Sequence, residues 1–370
     1  MTWAPGGNLP PLLAAGQVMA AREHRVTVLA SAATRGDAER LGLDVRSYPH
    51  APDPDVSVEF ERQAQTMMAV AAGIEVARDV RDLLVSTGPT LAIVDCMLSA
   101  GLAAAEAAGM RTVSLVHFPY GLARRLLAAG DAWTTDLRTL DATRRTLGLA
   151  PTADALSAWE AVDLVLVTAP RWFDIDAGFP PHVVHAGPLG VRGAGATAGA
   201  GAGRVLLSFS TTVMDGQPEL IQRAVDAIAD AGLDATLTLG PAGDVSVLRR
   251  PEGLEVIRWA DHDALVSTCG AVVTHGGLGT TLRALAHGVP LVLVPLGRDQ
   301  GFNAARVSEL GAGIRLDARA SAAAIRHAVD DVLSDPRYAA AAAELAARIA
   351  ADEPDATAAQ ALERCAVGER

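Results

Sequence analysis

Aromatic residues make up only 4% of the chain, so its core must be assembled from Ala, Val and Leu rather than from rings. Cysteine is nearly as scarce. Cys96, Cys269 and Cys365 are widely separated and odd in number. That excludes a disulfide scaffold and a zinc-type spacing, and it fits a reducing cytoplasm. No apolar run approaches the roughly 18 residues of a membrane span. Residues 1–22 carry no basic segment ahead of their apolar stretch, which argues against a signal peptide. Positive charge is in deficit: 31 Lys+Arg stand against 43 Asp+Glu, for a net charge of −12. Nothing neutralises rows of phosphates in bulk, so neither nucleic acid nor an anionic membrane is an expected partner. General disorder is excluded too, because 50% of the residues are hydrophobic and 20% charged.

What is present is an alternation. Short apolar runs at 26–29, 91–94, 112–116, 164–167, 205–209, 236–239, 255–257, 271–274 and 291–294 read as strands. Most are uniformly apolar, the pattern of parallel strands covered on both faces. Helical stretches fall between them, at 11–22, 100–108, 220–231, 281–287 and 303–309. The expected class is therefore doubly wound α/β. With 370 residues and a prior of roughly 150 per domain, two domains are expected. Residues 193–203 are almost all Gly and Ala and read as a flexible linker rather than a phosphate loop, since no Lys-Ser/Thr follows the glycines. The organisation expected is an N-terminal domain 1–190, a linker 191–203, a second domain 204–337 and a helical tail 338–370 that packs back toward the first domain. One oddity is that the chain opens almost directly into a Pro/Gly turn, with no strand before it.

The chemistry-bearing segment runs from Val256 to Gly313. A buried strand ends at His275, and Gly276, Gly277 and Gly279 follow, then Thr280, Thr281 and a helical run. Glycines at a strand-to-helix turn admit a ligand to the backbone, and the helix start offers unpaired N–H groups and a positive dipole end. That combination suits a phosphate. The alternative is a tight turn with a packed histidine. Trp259, at the end of an earlier strand, is placed either to stack on a nucleobase or to fill core. Asp299 and Gln300 follow the next strand, and a carboxylate beside an amide suits sugar hydroxyls, or simply a solvated loop.

In order, Trp259-Ala260-x-His262, His275-Gly-Gly-x-Gly-Thr-Thr281, Gly288-Val-Pro290, Pro295, Asp299-Gln300 and Asn303-Ala304 resemble the donor-site signature of family-1 nucleotide-sugar glycosyltransferases, most nearly the bacterial enzymes that decorate antibiotics. The resemblance runs from near Gly6 to the tail. It implies a GT-B fold: two facing Rossmann-like domains with parallel sheets and an inter-domain cleft. It also implies roles. Trp259 would stack on the donor base and Ala260 would contact it through the backbone. His275, Gly277, Gly279 and Thr280 would hold the pyrophosphate. Thr211 would lie near pyrophosphate and sugar, and Asp299 and Gln300 would bind sugar hydroxyls. Two positions depart from the family pattern: Ser210 stands where Gly is usual, and Arg283 where a ribose-binding Glu is usual.

The first half departs further. The family's turn carries a histidine base, and Asn8 stands in its place here. An amide cannot accept a proton at neutral pH, although Asn8 can still orient an acceptor. Asp95 matches the acidic partner of that missing histidine. It reads either as the base itself or as a helix N-cap. His117, after another strand, is a substitute base or a structural loop histidine. Met67, Phe118 and Tyr120 are candidate acceptor contacts, as apolar and aromatic side chains suit a flat aglycone, although ordinary burial explains them equally well. Asp53-Pro-Asp55 and Asp174-Ile-Asp176 look like metal motifs, but two such matches are expected by chance in an acidic chain. The resemblance implies a metal-independent inverting transfer from a dTDP-deoxysugar or UDP-sugar to a hydroxyl of an apolar aglycone. Such a protein needs no cofactor beyond the nucleotide-sugar co-substrate and is expected to be a cytoplasmic monomer or homodimer. A nucleotide-sugar epimerase of the same fold and a non-catalytic donor-binding protein are the alternatives. By the same comparison, residues 1–3 are expected to be only the end of a central first strand, with a few apolar residues belonging upstream.

Overall fold

The computed structural model describes residues 1–3, 6–53, 60–129, 136–176, 178–193, 203–211, 214–239, 248–249, 251–258 and 260–369. Within these the chain divides into two compact units. One comprises Met1–Gly190 with Glu353–Arg370, and the other Val191–Asp352. Residues 194–202 of the Gly/Ala tract lie outside the described residues.

The second unit is built on six parallel strands: β7 (Arg204–Ser208), β8 (Asp234–Thr238), β9 (Leu254–Ile257), β10 (Ala271–Thr274), β11 (Leu291–Leu293) and β12 (Gly313–Arg315), numbered after six in the first unit. Their spatial order is β12-β11-β10-β7-β8-β9. This is the doubly wound arrangement, with the chain's path reversing between β7 and β10, where such sheets bind ligands at their carboxyl edge. β10 and β11 are buried throughout. Leu207, Leu220, Leu237, Val273, Val292 and Val329 belong to a single, largely aliphatic core in which Phe209 is the buried ring, in keeping with the composition.

The first unit holds β1 (Thr27–Ala30) and β2 (Asp44–Ser47) as one parallel pair. β3 (Ala92–Asp95), β4 (Thr112–Val116), β5 (Leu164–Val167) and β6 (Val183–His185) form a second parallel sheet, in that order. Residues 1–3 lie between the two pieces. Thr2 N–H donates to Leu29 O (3.0 Å), and Asp95 N–H donates to Met1 O (3.2 Å). Thr2 and Trp3 are buried there. The position of a central strand is thus held by three residues, and the order β2-β1-(1–3)-β3-β4-β5-β6 repeats the winding of the second unit.

The tail divides between the units. Helix Pro336–Ala351 packs on helix Leu278–Ala286 of the second unit, whereas helix Pro354–Val367 packs on helix Leu9–Ala20 and β5 of the first. Ala358, Leu362 and Cys365 join the core of Leu12, Ala15 and Leu166. The break falls at Glu353, whose φ of +45° turns the chain between two otherwise similar Ala-rich helices. Three short strands, β2, β6 and β12, have no counterpart in the sequence reading. β2 in particular is mostly exposed, so no apolar run marks it. Among the described residues no helix is long and apolar enough to cross a membrane.

Candidate functional site

In the second unit, β10 ends at Thr274 and helix Leu278–Ala286 begins after three residues. Gly276 sits at φ +87°, a left-handed conformation that any side chain would strain. Gly277 is needed for space, since a Cβ there would lie 2.7 Å from His275 Nε2. The imidazole therefore packs against bare backbone at the helix start. Gly277 is also the N-cap and supplies no capping side chain, so the first-turn N–H groups and the positive dipole end stay available to an anion. Gly279 is exposed and Thr280 half-buried on that turn. His275 is buried, which lowers its pKa to about 4. Hydrogen bonding to the Ser208 backbone opposes the shift and the charge of Arg298 adds to it. At neutral pH the ring is uncharged.

The neighbouring turn is tied to this one. Asn303 Nδ2 donates to Gly276 O and to Asp299 Oδ2, both at 2.9 Å. It holds the half-buried Asp299 beside the glycine turn. Gln300 is a correction. Its Oε1 accepts from the N–H groups of Leu296 (2.8 Å) and Gly297 (3.2 Å), its Nε2 donates to Met214 Sδ (3.1 Å), and it is 3% exposed. The amide braces the loop that presents Asp299 and is not open to a sugar. After β7, Gln217 bonds both backbone groups of Ser210 (3.2 and 3.1 Å), which fixes the loop carrying the exposed Thr211. Trp259 lies outside the described residues. Ala260 is half-buried, and Asp261 after it caps helix His262–Val266.

Arg283 has a local task. Its Nε and His287 Nε2 each lie 3.0 Å from Asp263 Oδ1. Burial would raise the pKa of Asp263, but His287 and Arg283 together hold it below the usual range. The arginine that stands at the expected glutamate position thus ties the Ala260 segment to helix Leu278–Ala286.

In the first unit the side chains converge where β3 and β4 end. Asn8 Nδ2 donates to Asp95 Oδ2 (2.6 Å), Met97 N–H donates to Asp95 Oδ1 (3.0 Å), and His117 Nδ1 lies 3.6 Å from the same Oδ1. Asp95 is buried, with a side chain 4% exposed, against 16% for His117. Asp95 is not the N-cap of the following helix; Leu98 holds that position. Asn8, Asp95 and His117, drawn from three separate segments, do come together. The acceptor candidates fare differently. Met67 is half-buried on helix Phe60–Ala71. Phe118 and Tyr120 are corrections, since both are core. Phe118 packs on Trp159, and the wholly buried Tyr120 donates its hydroxyl to Glu160 at 2.6 Å. Aromatic area is scarce in this chain and is spent on packing. Neither Asp-x-Asp pair gathers a metal-like cluster among the described residues. Asp174 is occupied by Gly121 N–H and His185, and Asp55 lies outside the described residues.

Sequence reasoning gave two residues no role, although Asn303 stood in the motif series. Asn303 is four positions after Asp299 on one helix face, a spacing that could have signalled the contact. Arg298, with φ +56°, gives no sequence signal for its unusual backbone or its nearness to His275.

Residues 222–364 match the family described as erythromycin biosynthesis protein CIII-like, C-terminal domain. Over 151 residues the chain is 32% identical to the 3-alpha-mycarosylerythronolide B desosaminyl transferase of Saccharopolyspora erythraea, covering 40% of this chain and 36% of that protein. The match thus spans about a third of that relative's length. Over 332 residues the chain is 28% identical to the L-demethylnoviosyl transferase of Streptomyces niveus, covering 85% and 84% of the two. Among solved structures, the glycosyltransferase VinC in complex with dTDP shares the fold with a TM-score of 0.71 at 20% identity, over 99% of this chain and 98% of that one. The chain thus has the GT-B fold of these glycosyltransferases, and its residues 222–364 are similar to the erythromycin biosynthesis protein CIII-like C-terminal domain.

Proposed function

We propose that this chain transfers the sugar of a nucleoside diphosphate sugar, a dTDP-deoxysugar or a UDP-sugar, to a hydroxyl of a small apolar aglycone. The transfer inverts the anomeric carbon. The observation that carries this reading is the turn after β10: an uncapped helix start, bare backbone at Gly277 and a buried, uncharged His275 packed against it. A diphosphate gains most there as it leaves, because charge builds on it while the donors are already in place. The backbone from Gly277 to Gly279, the Thr280 hydroxyl and His275 would carry that charge without a metal. Thr211 and Asp299 would face the sugar, and Trp259 and Ala260 the base. On the first unit, Asp95 or His117 takes the acceptor proton as the acceptor oxygen bonds to the anomeric carbon and the bond from that carbon to the phosphate oxygen breaks. Asn8 orients the acceptor or the carboxylate. The names of the relatives support a sugar transfer, and VinC, a protein of the same fold, is described in complex with dTDP.

The test is a panel assay. The protein is incubated with dTDP- and UDP-sugars and with phenolic and macrolide aglycones, and products are read by mass and by the anomeric coupling in NMR. A glycoside of inverted configuration is expected. Donor binding with no transfer to any acceptor would favour a non-catalytic homologue, and an epimerised sugar without glycoside would favour an epimerase. Calorimetry with His275→Ala should show weakened nucleotide-sugar binding, and unchanged affinity would remove the donor assignment.

A further inference from the structure

Three groups of different chemistry meet where β3 and β4 end, and only two of them have a part in the proposed transfer. His117 Nδ1 lies 3.6 Å from Asp95 Oδ1 and 4.0 Å from Cys96 Sγ, and carboxylate, thiol and imidazole atoms all lie within 4.8 Å of one another. Among the described residues no other three His, Cys, Asp or Glu side chains gather in this way. A tetrahedral ion with one sulfur at about 2.3 Å, and one nitrogen and one oxygen at about 2.0 Å each, sets ligand-to-ligand edges of roughly 3.3–3.6 Å. The two separations from His117 exceed those edges by less than about half an ångström, and the carboxylate-to-thiol separation lies within 4.8 Å, so rotation of the Cys96 and Asp95 side chains as well as of the His117 ring brings the three onto one ion.

The surroundings suit a bound cation. Asp95 and Cys96 are buried, while His117 is partly open to solvent, which leaves a side for a fourth ligand. Asn8 holds Asp95 Oδ2, while Oδ1, the oxygen nearer His117, accepts the Met97 N–H and has a second lone pair for the cluster. Such outer partners orient metal ligands and raise affinity. A thiolate with an imidazole selects Zn²⁺ and its neighbours over Mg²⁺ or Ca²⁺, which take all-oxygen shells.

We propose that Asp95, Cys96 and His117 form a three-ligand site for a thiophilic divalent cation, Zn²⁺ in the first instance, with water in the fourth position. Binding releases the thiol proton to solvent. It also commits the lone pairs of Asp95 and His117 to the ion, so Zn²⁺ inhibits the transfer proposed above. That consequence rests on the proposed function, whereas the site itself does not.

The experiment uses the full chain without an affinity tag, freed of metal and titrated with Co²⁺. One equivalent is expected to give a thiolate-to-cobalt charge-transfer band with four-coordinate d–d bands, displaced by Zn²⁺ and untouched by Mg²⁺. The charge-transfer band should vanish in Cys96→Ser and in Cys96→Ala, and Co²⁺ affinity should fall more than about tenfold in His117→Gln. Circular dichroism confirms that each variant is folded, and the pair of cysteine variants guards against a fault in either. No binding, or a charge-transfer band that survives in both Cys96 variants, overturns the proposal. Where transfer activity is in hand, Zn²⁺ should inhibit the wild type reversibly, with EDTA restoring activity. Cys96→Ala should keep its metal-free activity and need at least about tenfold more Zn²⁺ for the same inhibition. Equal inhibition of both proteins overturns the site as its source. Should the panel assay find no transfer at all, the cobalt spectra still decide the site.

Discussion

Each unit carries the same short device beside its central strand, and the two are filled with opposite chemistry. β3 ends at Asp95, three residues follow, and a nine-residue helix runs Ser99–Ala107; β10 ends at Thr274, three residues follow, and a nine-residue helix runs Leu278–Ala286. In the second unit the three residues are His275, Gly276 and Gly277, which leave backbone bare. In the first they are Cys96, Met97 and Leu98, and the side chains fill the turn. Leu98 is buried and the Met97 N–H is already bound by Asp95. One winding therefore yields a turn of bare backbone in one unit and, with bulkier residues, a turn filled by side chains in the other. The topology places such a turn in both units, and three residues decide what lines it.

The sharpest way to break that division of labour is Asp95→Asn. The variant is nearly isosteric, can accept from Met97 N–H on its oxygen and can donate to Asn8 once that amide turns its oxygen inward, but it cannot take up a proton. If Asp95 is the base, or holds His117 in that role, turnover should fall by about 10²–10⁴-fold, with nucleotide-sugar affinity within about twofold of wild type. Steady-state transfer and calorimetry on the same preparation check both halves. A loss of donor affinity with turnover preserved would show that the two turns do not divide the work as described.

How much of this was legible in the residues follows the same contrast. The bare-backbone turn after β10 could be read in advance because glycines clustered between a buried strand and a helix mark a place where the backbone needs left-handed geometry or space; Gly276 at φ +87° and the missing space at Gly277 are that need made concrete. The doubly wound sheets were legible from uniformly apolar runs such as Ala271–Thr274. Gln300, Phe118 and Tyr120 were misplaced because residue type says what a side chain can do but not whether packing has already used it. Gln300 is consumed by two backbone amides of its own loop, and Tyr120 by Glu160. The exposed edge strand β2 and the break at Glu353 carried no apolar signature to read.

His275 gives a test of the second turn that needs no substrate. Its pKa, about 4 in the folded chain, lies below the ordinary imidazole value of 6.5. Between these values the unfolded chain binds a proton that the folded chain does not, so unfolding free energy rises with pH across that window and is lost as pH falls through it. The full difference is of the order of 3 kcal/mol. Urea unfolding at pH 7 and pH 5 should show that loss beginning in the wild type, and His275→Gln should flatten the slope by about one proton. Equal slopes in the two proteins would mean that the ring titrates normally, and the uncharged ring at the proposed diphosphate position would have to be given up.

Arg298 should give the smallest effect and the finest distinction between the turns. The chain contains no lysine, so every fixed side-chain cation is an arginine, and this one acts on His275. Its side chain is exposed overall, but partial shielding of the guanidinium lowers its own pKa, with Asp299 opposing. Replacing it by Gln removes a positive charge from beside the imidazole. The His275 pKa should therefore rise from about 4 by a fraction of a unit, read from the ring proton shifts in an NMR titration. Because a cation near a diphosphate adds only a screened Coulomb term when exposed to solvent, donor affinity should fall only a few-fold. That loss should shrink as salt is raised, whereas the loss in His275→Ala should persist. A His275 pKa that stays put in Arg298→Gln would place the guanidinium too far away to act, and the cradle would then rest on backbone and imidazole alone.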